Sequence, residues 1–329
     1  MSADFPHRHA AHCESGTVAS LLSHAGQPLS EPMAFGLAGG LSFAYLPFIR
    51  IQERPLIAYR VPPRGILRGI EKPLGVRFTV ERFRSPSEGQ ARLDALLDQG
   101  LAVGLQTSVF WLPYFPDDMR FHFNAHNLVA FGREGGDYLI SDPVFEAPVR
   151  CAAADLQRAR FAKGMLAPRG TLYYPQPGRP VRAPDATAVA NAIRRVVRML
   201  QAPLPFVGTR GIRQLGARIG RLDTAAPDSL LLVGHVVRMQ EEIGTGGAGF
   251  RFLYAAFLQE AAQLTGRAAL DELANRLLEI GDRWREFALA AARMVRGRDP
   301  FEPRALAAAL EGLAEAEHRF FGELGRAVR

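Results

Sequence analysis

Lysine is almost missing from this 329-residue chain: Lys72 and Lys163 are the only two, so the net charge of +7 is carried almost wholly by arginine. Cysteine is as scarce, with Cys13 and Cys151 alone. Two cysteines cannot staple a chain of this length, which excludes a disulfide framework and points to a reducing compartment with free thiols; a Cys13–Cys151 bridge is the one alternative. No stretch offers about 18 consecutive apolar residues, and the segment before Cys13 carries His7, Arg8 and His9 without an apolar region, so neither a membrane-spanning helix nor a secretory leader is read. The expectation is a soluble, cytoplasmic protein without membrane insertion. Zinc-finger spacing, an RNP-type motif and a basic zipper are also missing. The arginines, among them Arg194, Arg195, Arg198, Arg213 and Arg293, are scattered among apolar residues. A basic surface attracts nucleic acid, an anionic membrane or an acidic protein, and charge alone does not choose among them. With no motif beside them these arginines read as a solvated helical surface, and no nucleic-acid partner is expected.

What the chain does have is apolar material. At 48% hydrophobic composition it can bury a substantial core, and its length suits two domains. Residues 14–25 read as a helix, followed by Gly/Pro punctuation over 26–32. The segment Phe35–Tyr45 sets Gly36, Gly39 and Gly40 among apolar residues, which reads as closely packed backbone. It lacks the Gly-Lys-Ser/Thr ending of a phosphate loop. Phe48–Tyr59 and Val76–Phe83 read as strands with a Pro/Gly/Arg-rich connection. Residues 87–99 read as a helix capped by Ser87, striped by Leu93, Leu96 and Leu97, and stopped by Gly100. Leu101–Gln106, Asn127–Phe131 and Tyr138–Ile140 read as strands, the last two joined by a turn over 132–136. Together these give an α+β domain over residues 1–175. Four prolines between Pro175 and Pro184 mark a linker. Beyond it the spans 188–200, 212–222, 229–242, 250–264, 268–294 and 303–328 carry apolar residues at three- and four-residue spacing, giving an all-helical domain over 185–329.

Cys13 stands just ahead of the first helical pattern, where unpaired backbone N–H groups and the positive end of the helix dipole favour the reactive thiolate. His126 opens one strand-like run and Asp142 closes the next. Cys, then His, then Asp supplies a nucleophile, the base that holds its proton and the carboxylate that orients the base. His12, next to the thiol, is given no catalytic role, and Cys151 is read as structural.

The run His12-Cys13-Glu14-Ser15-Gly16-Thr17, with Leu29 to Tyr45 soon after, resembles the N-terminal domain of the butirosin biosynthesis protein BtrH family. Glu242 to Tyr254 and Phe257 to Ala262 resemble the helical C-terminal domain usually fused to it. His126-Asn127-Leu128-Val129 followed by Tyr138 to Pro143 is similar to the His and Asp strands of bacteriocin-processing cysteine peptidases. The resemblance implies a papain-like cysteine-protease fold and acyltransferase activity. An acyl group would leave a carrier-protein thioester, pass through acyl-Cys13 and form an amide with an amine. It implies an acyl carrier protein and a small-molecule amine as partners, with no metal and no cofactor beyond the phosphopantetheine that arrives on the carrier. A papain-like hydrolase, peptidase or thioesterase, is the alternative. A non-catalytic binding module is a third reading, against which the intact Cys, His and Asp argue.

One absence bears on mechanism. Papain-like peptidases usually place a glutamine shortly before the cysteine to complete the oxyanion hole, and no glutamine precedes Cys13. The Cys13 backbone N–H is one expected contributor; Asn124, Gln106 or a backbone amide is left to supply the second. Glu31, Gly39 and Asn124 are the substrate-binding candidates, although packing explains the glycine equally well. Asp117 and Asp118, after an aromatic run, fit either a cationic amine or a solvated loop. Gly244–Gly249 reads as a helix entry loop. The helical domain, with its arginines, is expected beside the catalytic face.

Overall fold

The computed structural model describes residues 5–51 and 53–329. The chain opens with α1 (Cys13–His24), α2 (Glu31–Leu37) and a hairpin of β1 (Leu41–Ile51) and β2 (Arg54–Arg60). It continues through α3 (Gly65–Leu74), β3 (Phe78–Glu81), α4 (Pro86–Asp98), β4 (Val103–Thr107), β5 (His126–Glu134) and β6 (Asp137–Ser141). Then come β7 (Val149–Ala152), α5 (Ala153–Arg160) and β8 (Leu172–Pro175). The remainder is helical: α6 (Ala186–Leu200), α7 (Gly208–Ile219), α8 (Pro227–Glu241), α9 (Arg251–Thr265), α10 (Ala268–Val295) and α11 (Pro303–Ala327). Two compact units result. One comprises the residues up to Ala34 with Pro63–Ala183, the other Phe35–Pro62 with Pro184–Arg329.

The first unit is a mixed α/β body built on a six-stranded antiparallel sheet of order β3-β8-β4-β5-β6-β7. Strand alternation decides what each face carries. Val103, Leu105, Leu128 and Ala130 join Leu93 and Leu96 of α4 and Leu156 and Ala159 of α5 in one buried core. Gly104, Asn127 and Tyr173 take the opposite face, where α1 packs on β4, β5 and β8. Residues Glu14 to Leu22 of α1 are all buried. A helix apolar or satisfied on every side belongs in an interior, which explains why the weakly amphipathic run here is a core element. The helix read from Ser87 begins at Pro86, because Ser85 Oγ accepts the Glu88 N–H at 3.3 Å and proline suits the first helical position.

The second unit gathers the C-terminal helices and also takes the β1–β2 hairpin, which the sequence reading left in the N-terminal domain. The reason is burial: Phe43, Tyr45, Ile57 and Tyr59 of the hairpin are all covered, β1 packing on α7 and β2 on α8. Its centre is Trp284, with Phe43 and Tyr59 against its ring. Beside them Arg251 and Glu317, both wholly buried, form a bidentate pair at 2.8 and 3.0 Å, and Trp284 Nε1 donates to the same carboxylate at 2.7 Å. The glycines before α9 are an entry loop. Gly249 (φ 54°) lies where a Cβ would meet the Tyr59 ring at 2.2 Å. Of the strand run Phe48–Tyr59, Gln52 lies outside the described residues.

Candidate active site

Cys13 is the first residue of α1, and hydrogen bonds on either side of it fix the backbone there. His12 caps the helix, its Nδ1 accepting the Ser15 N–H at 3.3 Å. Glu31 accepts the N–H groups of Ala11 and His12, each at 2.8 Å, and the Ser15 hydroxyl at 2.9 Å. Burial pushes the Glu31 carboxyl up, against those hydrogen bonds, which pull it down. Glu14, one residue past the thiol, accepts from the N–H groups of Arg64, Ile66 and Leu67 and so caps α3. Gly16 allows close approach on the other side. A Cβ there would sit 2.6 Å from that of Ala10 and 3.0 Å from that of Pro143, and Ala10 N–H donates to Pro143 O at 2.8 Å. The turn after Asp142 is thereby packed on the helix that carries Cys13.

The β5–β6 hairpin delivers the partners. His126 is the first residue of β5 and Asp142 directly follows β6, and the imidazole Nε2 donates to Asp142 Oδ2 at 2.7 Å. That bond leaves Nδ1 for the hydrogen bond to Cys13. Asp142 also accepts the Tyr114 hydroxyl at 2.9 Å and the Val144 N–H at 3.1 Å, and Phe115 stands edge-on to the imidazole at 5.5 Å. His126 and Asp142 are buried, whereas Cys13 is partly open to solvent. Burial alone would drive the imidazole to its neutral form. The Asp142 charge and hydrogen bond, with help from Cys13, outweigh that and push His126 up to about 10. An imidazolium beside a thiol favours the thiolate, and this thiol is partly reachable from solvent. Burial, and then the Asp142 charge, hold Tyr114 well above the usual phenol range, so its hydroxyl remains a donor.

The structure brings Cys13, His126 and Asp142 together and disperses the remaining sequence candidates. Asn124 Nδ2 donates to Lys163 O and Met165 O at 3.2 and 2.8 Å, and Gln106 Nε2 donates to Asn124 O and Leu166 O at 3.1 and 3.2 Å. Both amides tie down the 163–166 loop. Glu31 spends its oxygens on the segment ahead of the thiol. Gly39 (φ 67°) belongs to the other unit, where a Cβ would lie 3.0 Å from Arg195 Nε; this is a packing position. Asp117 pairs with Arg120 three residues on. Cys151 is buried in β7 with its thiol pushed up to about 12, first by burial and then by Asp155 and Asp137; neither Cys13 nor Cys151 is in a disulfide. Sequence reasoning passed over Tyr114, Asn127 and Tyr173. The one local signal was Asn127, a polar residue within a buried apolar strand. Among the described residues no group of three or more His, Cys, Asp or Glu is disposed to hold a metal ion, and no helix is long and apolar enough to cross a membrane.

Residues 12–143 match the family described as "Butirosin biosynthesis protein H, N-terminal", and residues 154–324 match "Domain of unknown function (DUF4872)". The chain belongs to the butirosin biosynthesis protein H family. No curated protein matches it. A C39-like peptidase from Bacillus anthracis, known from its crystal structure, is similar at 14% identity and a TM-score of 0.38, over 55% of this chain and 98% of that one. In this butirosin biosynthesis protein H family member the first unit is a mixed α/β body in which the cysteine-bearing helix lies on the antiparallel sheet whose β5–β6 hairpin supplies His126 and Asp142.

Proposed function

We propose that this protein is an acyltransferase of a biosynthetic pathway, working through a thioester on Cys13. The observation that carries the reading is the buried His126–Asp142 pair, which keeps a protonated imidazole beside a partly exposed thiol. The Cys13 thiolate attacks the carbonyl of a carrier-protein thioester. The carrier's phosphopantetheine sulfur leaves and takes the proton from His126, so that acyl-Cys13 stands next to a neutral imidazole. An amine then attacks the acyl carbon and gives its proton to His126 while the Cys13 thiolate departs, forming the amide and restoring the ion pair. Asp142 holds the imidazole in the tautomer that both steps need. A thioester is already activated, which suits a site without the glutamine of papain-like peptidases. The family's association with butirosin biosynthesis supports transfer to an amine over hydrolysis.

Intact-mass spectrometry of the protein incubated with acyl-loaded carrier protein is the test. Wild type should gain one acyl mass, lost on adding an acceptor amine with appearance of the amide; Cys13→Ala should gain none. Discharge at the same rate with and without every amine would assign the site to hydrolysis instead.

A further inference from the structure

We infer that Asn127 is the side-chain oxyanion donor that stands in for the missing glutamine. The inference rests on the acyl-Cys13 reading above and adds a residue to it. Asn127 is buried on the α1 face of β5, and its Nδ2 points at Cys13 Sγ across 3.9 Å. An oxyanion donor lies about 2.7–3.1 Å from the position the oxygen will take, not from the sulfur itself. A nitrogen 3.9 Å from Sγ leaves room for the oxygen of a carbonyl bonded to that sulfur to enter between the two.

The amide is preorganised at both ends. One Nδ2 hydrogen goes to Ala125 O at 3.0 Å, and Oδ1 accepts the Tyr173 hydroxyl at 2.8 Å, which fixes which end is nitrogen and aims the second N–H at the thiol. Burial above all, then the Glu14 and Cys13 charges, keeps the Tyr173 hydroxyl protonated and donating. The fold makes space for this support. Gly104 pairs with Tyr173 across β4 and β8, and a Cβ on Gly104 would meet the tyrosine ring at 2.3 Å. His126 and Asn127 are adjacent at the start of β5, and both reach the sulfur, His126 by a hydrogen bond and Asn127 through Nδ2. The imidazole manages the proton, and the amide meets the oxygen. Tyr173 is a positioning residue in this scheme.

The test separates carbonyl chemistry from thiol reactivity. Iodoacetamide alkylates a thiolate without forming an oxyanion, whereas a small acyl thioester must form one. Asn127→Ala should cut the rate of Cys13 acylation by about 10²–10³-fold, the usual loss of one oxyanion donor, while alkylation and its pH dependence stay as in wild type. Tyr173→Phe, which keeps the ring over Gly104 and removes only the hydroxyl, should lower acylation by a smaller factor with alkylation again unchanged, and serves if Asn127→Ala does not fold. Equal losses in both reactions would make Asn127 a support for the thiolate or the fold and overturn the inference. So would acylation at the wild-type rate in either variant. A wild-type protein that alkylates but never acylates removes the acyl-Cys13 reading itself, and the inference with it.

Discussion

Asp142 Oδ2 lies 2.7 Å from His126 Nε2, in a part of the sheet that water does not reach. The same oxygen takes the Tyr114 hydroxyl and the other takes the Val144 N–H, so the carboxylate is oriented independently of the histidine. Asp142→Asn preserves the shape but offers an amide to Nε2 and favours the wrong tautomer. Acylation should fall by about 10³–10⁴-fold. Tyr114→Phe removes one charge-assisted bond and should cost about 10-fold. Single-turnover acylation measures both, and an Asp142→Asn variant within a few-fold of wild type contradicts the role given to the pair.

The His126 proton should be visible in stability as well as in rate. A folded-state value raised from 6.5 to about 10 means that the folded protein binds this proton more tightly than the unfolded chain. The resulting stabilisation is complete below 6.5, declines as pH rises above it, and is gone once pH passes about 10. The gap in melting temperature between wild type and His126→Gln should narrow across that window. The alkaline limb of the acylation profile should fall near its upper end; a limb near pH 6.5 would mean an unperturbed imidazole.

Glu31 predicts a different signature. Glu31→Gln replaces an acceptor of three bonds with a group that accepts fewer and carries no charge, and each bond to a charged group is worth about 1.5–3 kcal/mol. The segment ahead of Cys13 should loosen. Faster amide exchange at Ala11 and His12, with both alkylation and acylation slowed, is the expected outcome; unchanged exchange there means that Glu31 does not hold the segment.

In the helical unit, Glu317→Ala strands a buried guanidinium and should destabilise the protein by about 3–5 kcal/mol. Combining it with Arg251→Met removes the stranded charge and should recover part of the loss. Chemical denaturation reads both, and a single variant as stable as wild type would show that the pair has water to retreat to.

Carrier recognition is open to a salt titration. The net charge of +7 suits an acidic carrier, and attraction of that kind fades as ionic strength rises. Acylation by carrier-bound thioester should slow with added salt more steeply than acylation by a small uncharged thioester; parallel losses would remove electrostatic docking from the scheme.

The long helices were legible because periodicity over three or more turns leaves little choice, as α10 and α11 show. The short α3 was concealed by composition. Gly65, Pro73 and Gly75 read as a connection although Ile66, Leu67, Ile70 and Leu74 make a buried stripe. At the site, chain order and local position pointed to Cys13, His126 and Asp142. Asn127 could not be found in this way. Its orientation comes from Tyr173, 46 residues later, and from a glycine on the strand between them, and no local pattern displays such a register.

The early hairpin has a consequence for biogenesis. Residues 35–62 leave the ribosome before most of the sheet, yet Phe43 and Tyr59 are covered by Trp284, which is synthesised far later. The nascent chain must carry this apolar ribbon uncovered while the first body folds around the gap it leaves in the sequence. Cleavage in the proline-rich stretch near residue 180 would therefore not yield two independent fragments. The amino-terminal piece would retain a sticky strand pair and the carboxy-terminal piece an unfilled cleft, and only the two mixed in one tube should regain native solubility.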